Sequence, residues 1–246
     1  MENVRGLAYS DAQDELEGAL NLVCDRYALF GPSVLDAAEF GAATSRSRLF
    51  VVGIHKDRGD GLSPEDVDAY RRPATTVREA IRDLDRAIHE GNEGEYDAWR
   101  IPDFASLSEY AEGLKRPDRR FTGHRATKHT QRVVERFAAV APGEMDLVGR
   151  HRRLRWEGQC PTLRAGTGSD RGSYQSVRPI HPEIPRVITV REAARLQGFP
   201  DAHLFHPTVW HSFRMIGNSV SPVIAEAIFG AIRTKVRGLV SASAAL

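Results

Sequence analysis

Three short strings in this sequence carry side chains able to act on a ligand. Glu2-Asn3-Val4 sets a carboxyl beside an amide. Arg46 and Arg48 stand one residue apart, just ahead of the apolar run from Leu49 to Ile54. In an extended segment, residues two apart face the same side. Two guanidinium forks on one side suit a carbonyl or phosphate oxygen. Asn218-Ser219-Val220 precedes Ser221-Pro222, a hydroxyl N-cap followed by an N1 proline. The amides at such a helix start suit a carboxylate ligand. Cys24 and Cys160 are the two thiols; neither belongs to a Cys/His cluster with zinc spacing, and two cysteines make no disulfide framework. They are expected to sit in a reducing cytoplasm, with Cys24 a small apolar residue at the inner edge of a helix.

The charge pattern adds a fourth feature. The 246 residues carry 34 basic and 33 acidic side chains, for a net charge of +1. That balance hides a segregation. From Asp60 to Glu112 there are 14 acidic and 6 basic residues, and from Lys115 to Arg155 there are 12 basic and 4 acidic. Such a basic block fits a nucleic-acid surface, or a solvated face paired against the acidic segment. Only four of the basic residues are lysines. Arginine suits phosphates and base edges, although biased codon usage gives the same excess. The composition, 41% hydrophobic and 27% charged, is that of a soluble globular chain. No run of 18 apolar residues marks a membrane span, and the first five residues lack the apolar core of a secretory leader.

Several elements are needed to position these groups. Ser10-Asp11-Ala12-Gln13 has the form of a capping box, and Leu16, Leu20 and Val23 continue it as an amphipathic helix to about Arg26. Tyr27 to Phe30 reads as a short strand broken by Gly31-Pro32-Ser33. Leu49 to Ile54 reads as a strand buried on both faces. Thr76-Val77-Arg78-Glu79 opens a helix reaching about Ile88, and Thr189-Val190-Arg191-Glu192 opens another that stops at Gly198. Residues 90–160 show no sustained period and are expected to be loop-rich, with one helix near 130–140. A last helix carries the stripe Ile224, Ala227, Ile228 and Ala231.

In their order, Glu2-Asn3-Val4, the string from Thr44 to Gly53, Leu196-Gln197-Gly198-Phe199-Pro200-Asp201 and Ile216-Gly217-Asn218-Ser219-Val220 resemble the later motifs of the DNA cytosine-5 methyltransferases. The likeness runs over nearly the whole chain but covers only the C-terminal part of that family. The block from Thr189 to Asp201 is its most particular portion. The resemblance implies an α/β fold, a partial Rossmann-like methyltransferase sheet with an inserted loop-rich target-recognition domain. The expected division is a partial catalytic domain over 1–88, the recognition domain over 89–188, returning helices over 189–240 and a tail over 241–246.

It also implies roles. Methylation at C5 of cytosine requires a thiolate to attack C6 while a carboxyl stabilises the charge that develops at N3. That carboxyl would be Glu2. Arg46 and Arg48 would hold the flipped cytosine's carbonyl and its flanking phosphate. The family has Pro-Gln ahead of these arginines, where this chain has Ala43-Thr44. Asn218, Ser219 and Val220 would lie beside the amino-acid end of S-adenosylmethionine. Arg125, Lys128 and Arg164 would contact double-stranded DNA, while Arg191 and Glu192 would hold the recognition domain on its stem. The family's Pro-Cys nucleophile motif and Gly-rich cofactor turn are not found; Gly166-Thr167-Gly168 lies in the wrong region for the latter. Gln159-Cys160-Pro161 inverts the nucleophile motif, and Cys160 is read as structural. A complementary N-terminal methyltransferase chain is therefore expected as partner, the sequence being a split subunit or a fragment. The alternative is a DNA-binding remnant without catalysis. An incomplete sheet is expected to make the isolated chain marginally stable.

Overall fold

The computed structural model describes residues 1–9, 12–166 and 178–236. Ser10 and Asp11 of the first capping box, Thr167 and Gly168, and the 241–246 tail lie outside the described residues. By packing, the chain forms two units. The first holds Met1–Gly41, Arg46–Pro73 and Pro222–Leu246; the second holds Ala42–Ser45 and Ala74–Ser221.

The first unit is built on an antiparallel sheet of three strands, β1 (Glu2–Val4), β2 (Tyr27–Asp36) and β3 (Ser47–His55), in the order β1-β3-β2. β3 is central, and Leu49, Phe50, Val51 and Ile54 are buried, as its continuous apolar run predicts. β2 does not stop at Gly31. Its pairing with β3 shifts register between Phe30 and Ser33 and then continues to Asp36. Gly31-Pro32 is thus a bulge within an edge strand, where proline is tolerated. Gly31 is required there, because its φ is +92° and a Cβ would sit 2.4 Å from Phe50 O. Helix α1 (Gln13–Asn21) ends before Arg26 and buries Leu16. Cys24 lies beyond it and is exposed, its Sγ donating to Asn21 O at 3.2 Å, so it is not a core residue. Helix α2 (Pro64–Asp68) carries a Ser63/Asp66 capping box.

In the second unit, α3 (Val77–Ile81) starts at the foreseen Thr76/Glu79 box. It tightens into a 3-10 turn over Arg82–Arg86 and does not reach Ile88, which instead opens a strand. Strands β4 (Ile88–Glu93), β5 (Tyr96–Arg100) and β6 (Arg120–Phe121) form a small antiparallel sheet in a region read as loops. Its cohesion is polar. Arg100 and Arg120 both bond Glu90, at 2.9 Å each. The Asp97 carboxylate accepts the backbone N–H of Gly123, His124 and Arg125 and the Trp99 indole N–H. Helix α4 (Glu109–Leu114) follows β5. Helix α5 (Gln131–Ala138) matches the one helix expected, and α6 (Val190–Gln197) ends at Gly198 in the left-handed conformation, φ +93°. Helix α7 (Val209–Asn218) follows, so Asn218 is helical and not part of a free turn.

The last helix, α8 (Pro222–Lys235), belongs to the first unit and buries the predicted stripe Ile224, Ala227, Ile228 and Ala231. The stretch Val209–Lys235 has the length and hydropathy of a membrane-crossing helix, but residues 219–221 interrupt it.

All eight residues of α6 are buried, including Arg191, Glu192 and Arg195. Each charge is met. Arg195 grips Asp201 through two 2.7 Å bonds and reaches Asp83 at 3.3 Å. Arg191 donates to the carbonyls of Thr122, Pro200 and His203. Glu192 takes two bonds from Arg186, at 2.8 and 2.7 Å, and one from Thr189 N. Burial would raise the Glu192 carboxyl, but the Arg186 guanidinium outweighs it and holds the group at about 2. His124 lies against this cluster, bonded to Thr189 Oγ1 and Leu84 O, and burial pushes its imidazole down so that it stays neutral.

Two outcomes follow for stability. Asp201→Ala removes the two shortest bonds to Arg195, leaves it only Asp83 as a carboxylate partner, and is expected to cost about 3–5 kcal/mol in urea unfolding. Glu157→Ala, at the exposed Arg78–Glu157 pair, costs under about 1 kcal/mol. Equal losses would refute the assignment. Because Glu192 falls from 4.5 to about 2 on folding, its contribution is complete above pH 4.5 and is lost as pH drops toward 2. Unfolding measured between pH 6 and 3 should show that loss, and Glu192→Gln should flatten it.

Candidate functional site

In the first unit, β1 runs antiparallel to β3 with Val4 opposite Arg48 and Glu2 opposite Phe50. Glu2 and Arg48 are therefore diagonal neighbours on one face, within reach of long side chains. Their side chains meet, Arg48 Nε lying 3.0 Å from Glu2 Oε1, and both remain partly accessible. The Met1 ammonium donates to Val51 O at 2.6 Å and fixes the start of the strand. Arg46 joins the same cluster. It is only 2% exposed, and its guanidinium is pushed down to about 10 by burial first and the Arg48 charge second, with Glu2 opposing. It stays cationic at neutral pH. Its backbone is held by Asp36, whose Oδ1 accepts Arg46 N–H at 3.0 Å and whose Oδ2 accepts the Ser47 hydroxyl at 2.6 Å. The three residues expected to act together are thus brought together: the carboxyl of the edge strand β1 pairs with Arg48 of the central strand β3, and Arg46 lies within electrostatic reach of both.

In the second unit, Ala43, Thr44 and Ser45 form a short parallel bridge with Cys160. Cys160 N–H donates to Ala43 O at 2.8 Å, and Cys160 O accepts Ser45 N–H at 2.9 Å and the Thr44 hydroxyl at 3.1 Å. The Cys160 thiol is fully buried and burial pushes it far up, away from the reactive thiolate. It is a structural joint, as its sequence context predicts.

The Asn218-Ser219-Val220 string takes a different form from the one expected. Asn218 closes α7 and is exposed; Ser219 is its C-cap, with the hydroxyl donating to Ile216 O at 2.8 Å. Gly217 is buried where a Cβ would meet Ala165 N at 2.3 Å and Arg164 C at 2.5 Å. The backbone carrying Arg164 therefore packs directly on the helix end carrying Asn218. Gln197, not singled out by sequence, belongs here as well. It is fully buried, its Nε2 approaches Ser219 Oγ at 3.4 Å, its carbonyl accepts the Ser221 hydroxyl at 2.7 Å, and its Oε1 has no hydrogen-bond donor among the described residues. Its place between a capping box and a C-terminal glycine, on the buried helix, was the available signal.

The basic block splits in two. Lys115 pairs with Glu112, Arg116 with Asp118, Arg119 with Asp103, and Arg120 with Glu90 and Glu93. This first part is neutralised, largely by the acidic segment. Beyond it, Arg125, Lys128, Arg132, Arg150 and Arg155 are exposed and form no ion pair with a carboxylate among the described residues. Arg125 bonds Asn92 Oδ1 at 2.8 Å. Arg164 is exposed at the rim of an open depression lined by Ser45, Gln159, Cys160, Pro161 and Thr162. Asp85, His181 and Glu192 bring ligand atoms within 4.8 Å of one another, but Arg186 already supplies the cation to Glu192.

The model of the C-5 cytosine-specific DNA methylase family matches residues 1–234. The Type II methyltransferase M.XorII of Xanthomonas oryzae pv. oryzae is 41% identical over 260 residues, covering 96% of this chain and 58% of its own length. M.DdeI of Desulfomicrobium norvegicum is 28% identical over 93% of the chain and 60% of its own length. The crystal structure of a prophage-encoded E. coli protein assigned as a DNA modification methyltransferase superposes with a TM-score of 0.78 at 35% identity, over 95% of this chain and 68% of that one. The Dnmt2 methyltransferase of S. pombe shares the fold, with a TM-score of 0.55 at 16% identity over 95% of this chain and 65% of that one. The chain spans about three fifths of the length of these two curated relatives. With its Glu2–Arg48 pair, its capped and buried α6 and a match over residues 1–234, this chain belongs to the C-5 cytosine-specific DNA methylase family.

Proposed function

We propose that the chain supplies the cytosine-holding and DNA-reading part of an enzyme that methylates C5 of cytosine within a specific sequence of double-stranded DNA. The observation that carries this reading is the Glu2–Arg48–Arg46 cluster. A flipped cytosine needs a proton donor at N3 and cations at its carbonyl oxygen. The Glu2 carboxyl, positioned by Arg48, provides the first in its protonated form. Arg46 and Arg48 provide the second, with Arg46 held in place by its burial. Arg125, Lys128 and Arg164 contact DNA outside the reacting base.

S-adenosylmethionine supplies the methyl group when bound. Asn218, Ser219 and Val220 would hold its amino-acid end, and the Oε1 of Gln197, which has no donor among the described residues, fits an ammonium group there. The nucleophilic thiolate comes from the part of the enzyme that carries the Pro-Cys motif, since Cys160 is buried in a structural joint. A groove in the first unit, where Phe40, Tyr70, Val223, Ala227 and the exposed Phe229 lie beside Arg72, Glu226 and Arg233, offers that part a mixed apolar and charged surface. Functionally, residues 1–88 and 189–240 then form the catalytic part and 89–188 the recognition part, working in the cytoplasm.

The test is complementation. The purified chain is mixed with the upstream segment of M.XorII, and transfer of labelled methyl from S-adenosylmethionine to duplex DNA is followed. Transfer is expected only from the mixture. Arg48→Ala should lower it by about 100-fold, and Cys160→Ser should leave it within about twofold. Transfer by the chain unaided, or an undiminished rate with Arg48→Ala, would defeat the reading.

A further inference from the structure

Leu147 and Val148 are 94% and 74% exposed, the most exposed adjacent apolar pair among the described residues. They sit at the tip of a turn that is built to be rigid. Met145 bridges Arg152 in antiparallel fashion, and Asp146 N–H donates to His151 O at 2.8 Å. The Asp146 side chain is buried, accepts Gly149 N–H at 2.6 Å and pairs with Arg136 at 2.9 Å. Arg150 adopts a left-handed φ of +57°, which a non-glycine residue holds only when its surroundings enforce it. Behind the turn, His151 is locked by Arg178 O at 2.7 Å and by an edge contact with Phe137. Arg153 is buried among the carbonyls of Val140, Pro182 and Glu183.

A turn so constrained loses little freedom on binding, and it spends that rigidity on presenting two apolar side chains to solvent. The exposed Arg150 and Arg152 follow the tip on its C-terminal side, Arg152 also donating to Gly143 O, and the only carboxylate within the turn, Asp146, is already neutralised by Arg136. An apolar tip with cations beside it matches the DNA major groove, where phosphates line the walls and the one apolar group on the base edges is the 5-methyl of thymine. We propose that the turn from Met145 to Arg152 reads DNA sequence, with Leu147 and Val148 packing against thymine methyl groups while Arg150 and Arg152 contact phosphates. This rests on the DNA-binding reading above and adds to it the base type that the chain selects.

The experiment begins with the full chain selecting duplexes from a random-sequence pool at low salt. Fluorescence anisotropy then measures its Kd for the enriched duplex and for the same duplex with uracil in place of thymine. Uracil is expected to weaken wild-type binding by about tenfold. The variant Leu147→Ser/Val148→Ser, whose changes lie wholly at the surface and whose fold is checked by circular dichroism, should bind both duplexes alike with an unchanged salt slope. Wild-type indifference to uracil, or full discrimination retained by the double variant, would overturn the assignment of this turn while leaving DNA binding intact. Failure of the wild-type chain to enrich any duplex would overturn the DNA-binding reading itself and this assignment with it. Self-association of the wild type that the double variant abolishes, without any effect of uracil, would assign the tip to a second copy of the chain instead.

Discussion

A helix buried on every side cannot leave a charge without a partner, and α6 is such a helix. Three of its eight residues are charged, so the unit around it must deliver Asp201 and Asp83 to Arg195, Arg186 to Glu192 and three carbonyls to Arg191. In a low-dielectric interior an unmet charge costs several kcal/mol, so these demands are rigid. They explain why the string from Thr189 to Asp201 is so particular. Thr189 and Glu192 close the capping box, Gly198 ends the helix at a positive φ, and Asp201 returns to neutralise Arg195. The most distinctive string in the chain is distinctive because its members satisfy one another, and Arg191 and Glu192 are spent entirely on structure.

Elements with their own start and stop signals were legible in the sequence. The capping boxes at Thr76 and Thr189, the C-terminal glycine at 198 and the apolar run of β3 act within a few residues, and each was found where its local chemistry placed it. Elements defined by distant partners were not. β2 carries turn-forming residues in its middle, and only its pairing with β3 shows that Gly31-Pro32 is a bulge rather than an end. The sheet β4-β5-β6 lacks an alternating pattern because ion pairs and the Asp97 carboxylate hold it together more than a buried face does. Cys24 was misplaced because α1 stops one turn earlier than its apolar spacing predicts.

The candidate site divides along the same line. Glu2 has no meaning as a terminal residue; the register of β1 on β3 sets it diagonal to Arg48 and so gives it a partner. The spacing of Arg46 and Arg48 was readable, but the burial of Arg46 was not, since it depends on what packs over the start of β3. Charge counting found the basic block but could not divide it. The paired-face reading holds for the first part of the block. The residues from 115 to 120 face carboxylates of the acidic segment, whereas Arg125, Lys128, Arg132, Arg150 and Arg155 leave their charge to solvent. Only the second part has charge to offer a phosphate backbone.

Gly217 shows how one packing contact can link two functional strings. Gly217 stands in the last turn of α7, next to the residue that closes it. The backbone at Arg164 and Ala165 lies where any Cβ would have to go. The close approach fixes the segment bearing Arg164 against the helix end bearing Asn218, so a side chain expected to meet DNA and one expected to meet the cofactor share one rigid support. Rigid support of this kind keeps reacting groups within the few tenths of an ångström that catalysis requires. Gly217 therefore bears on the geometry of the proposed site through backbone packing alone.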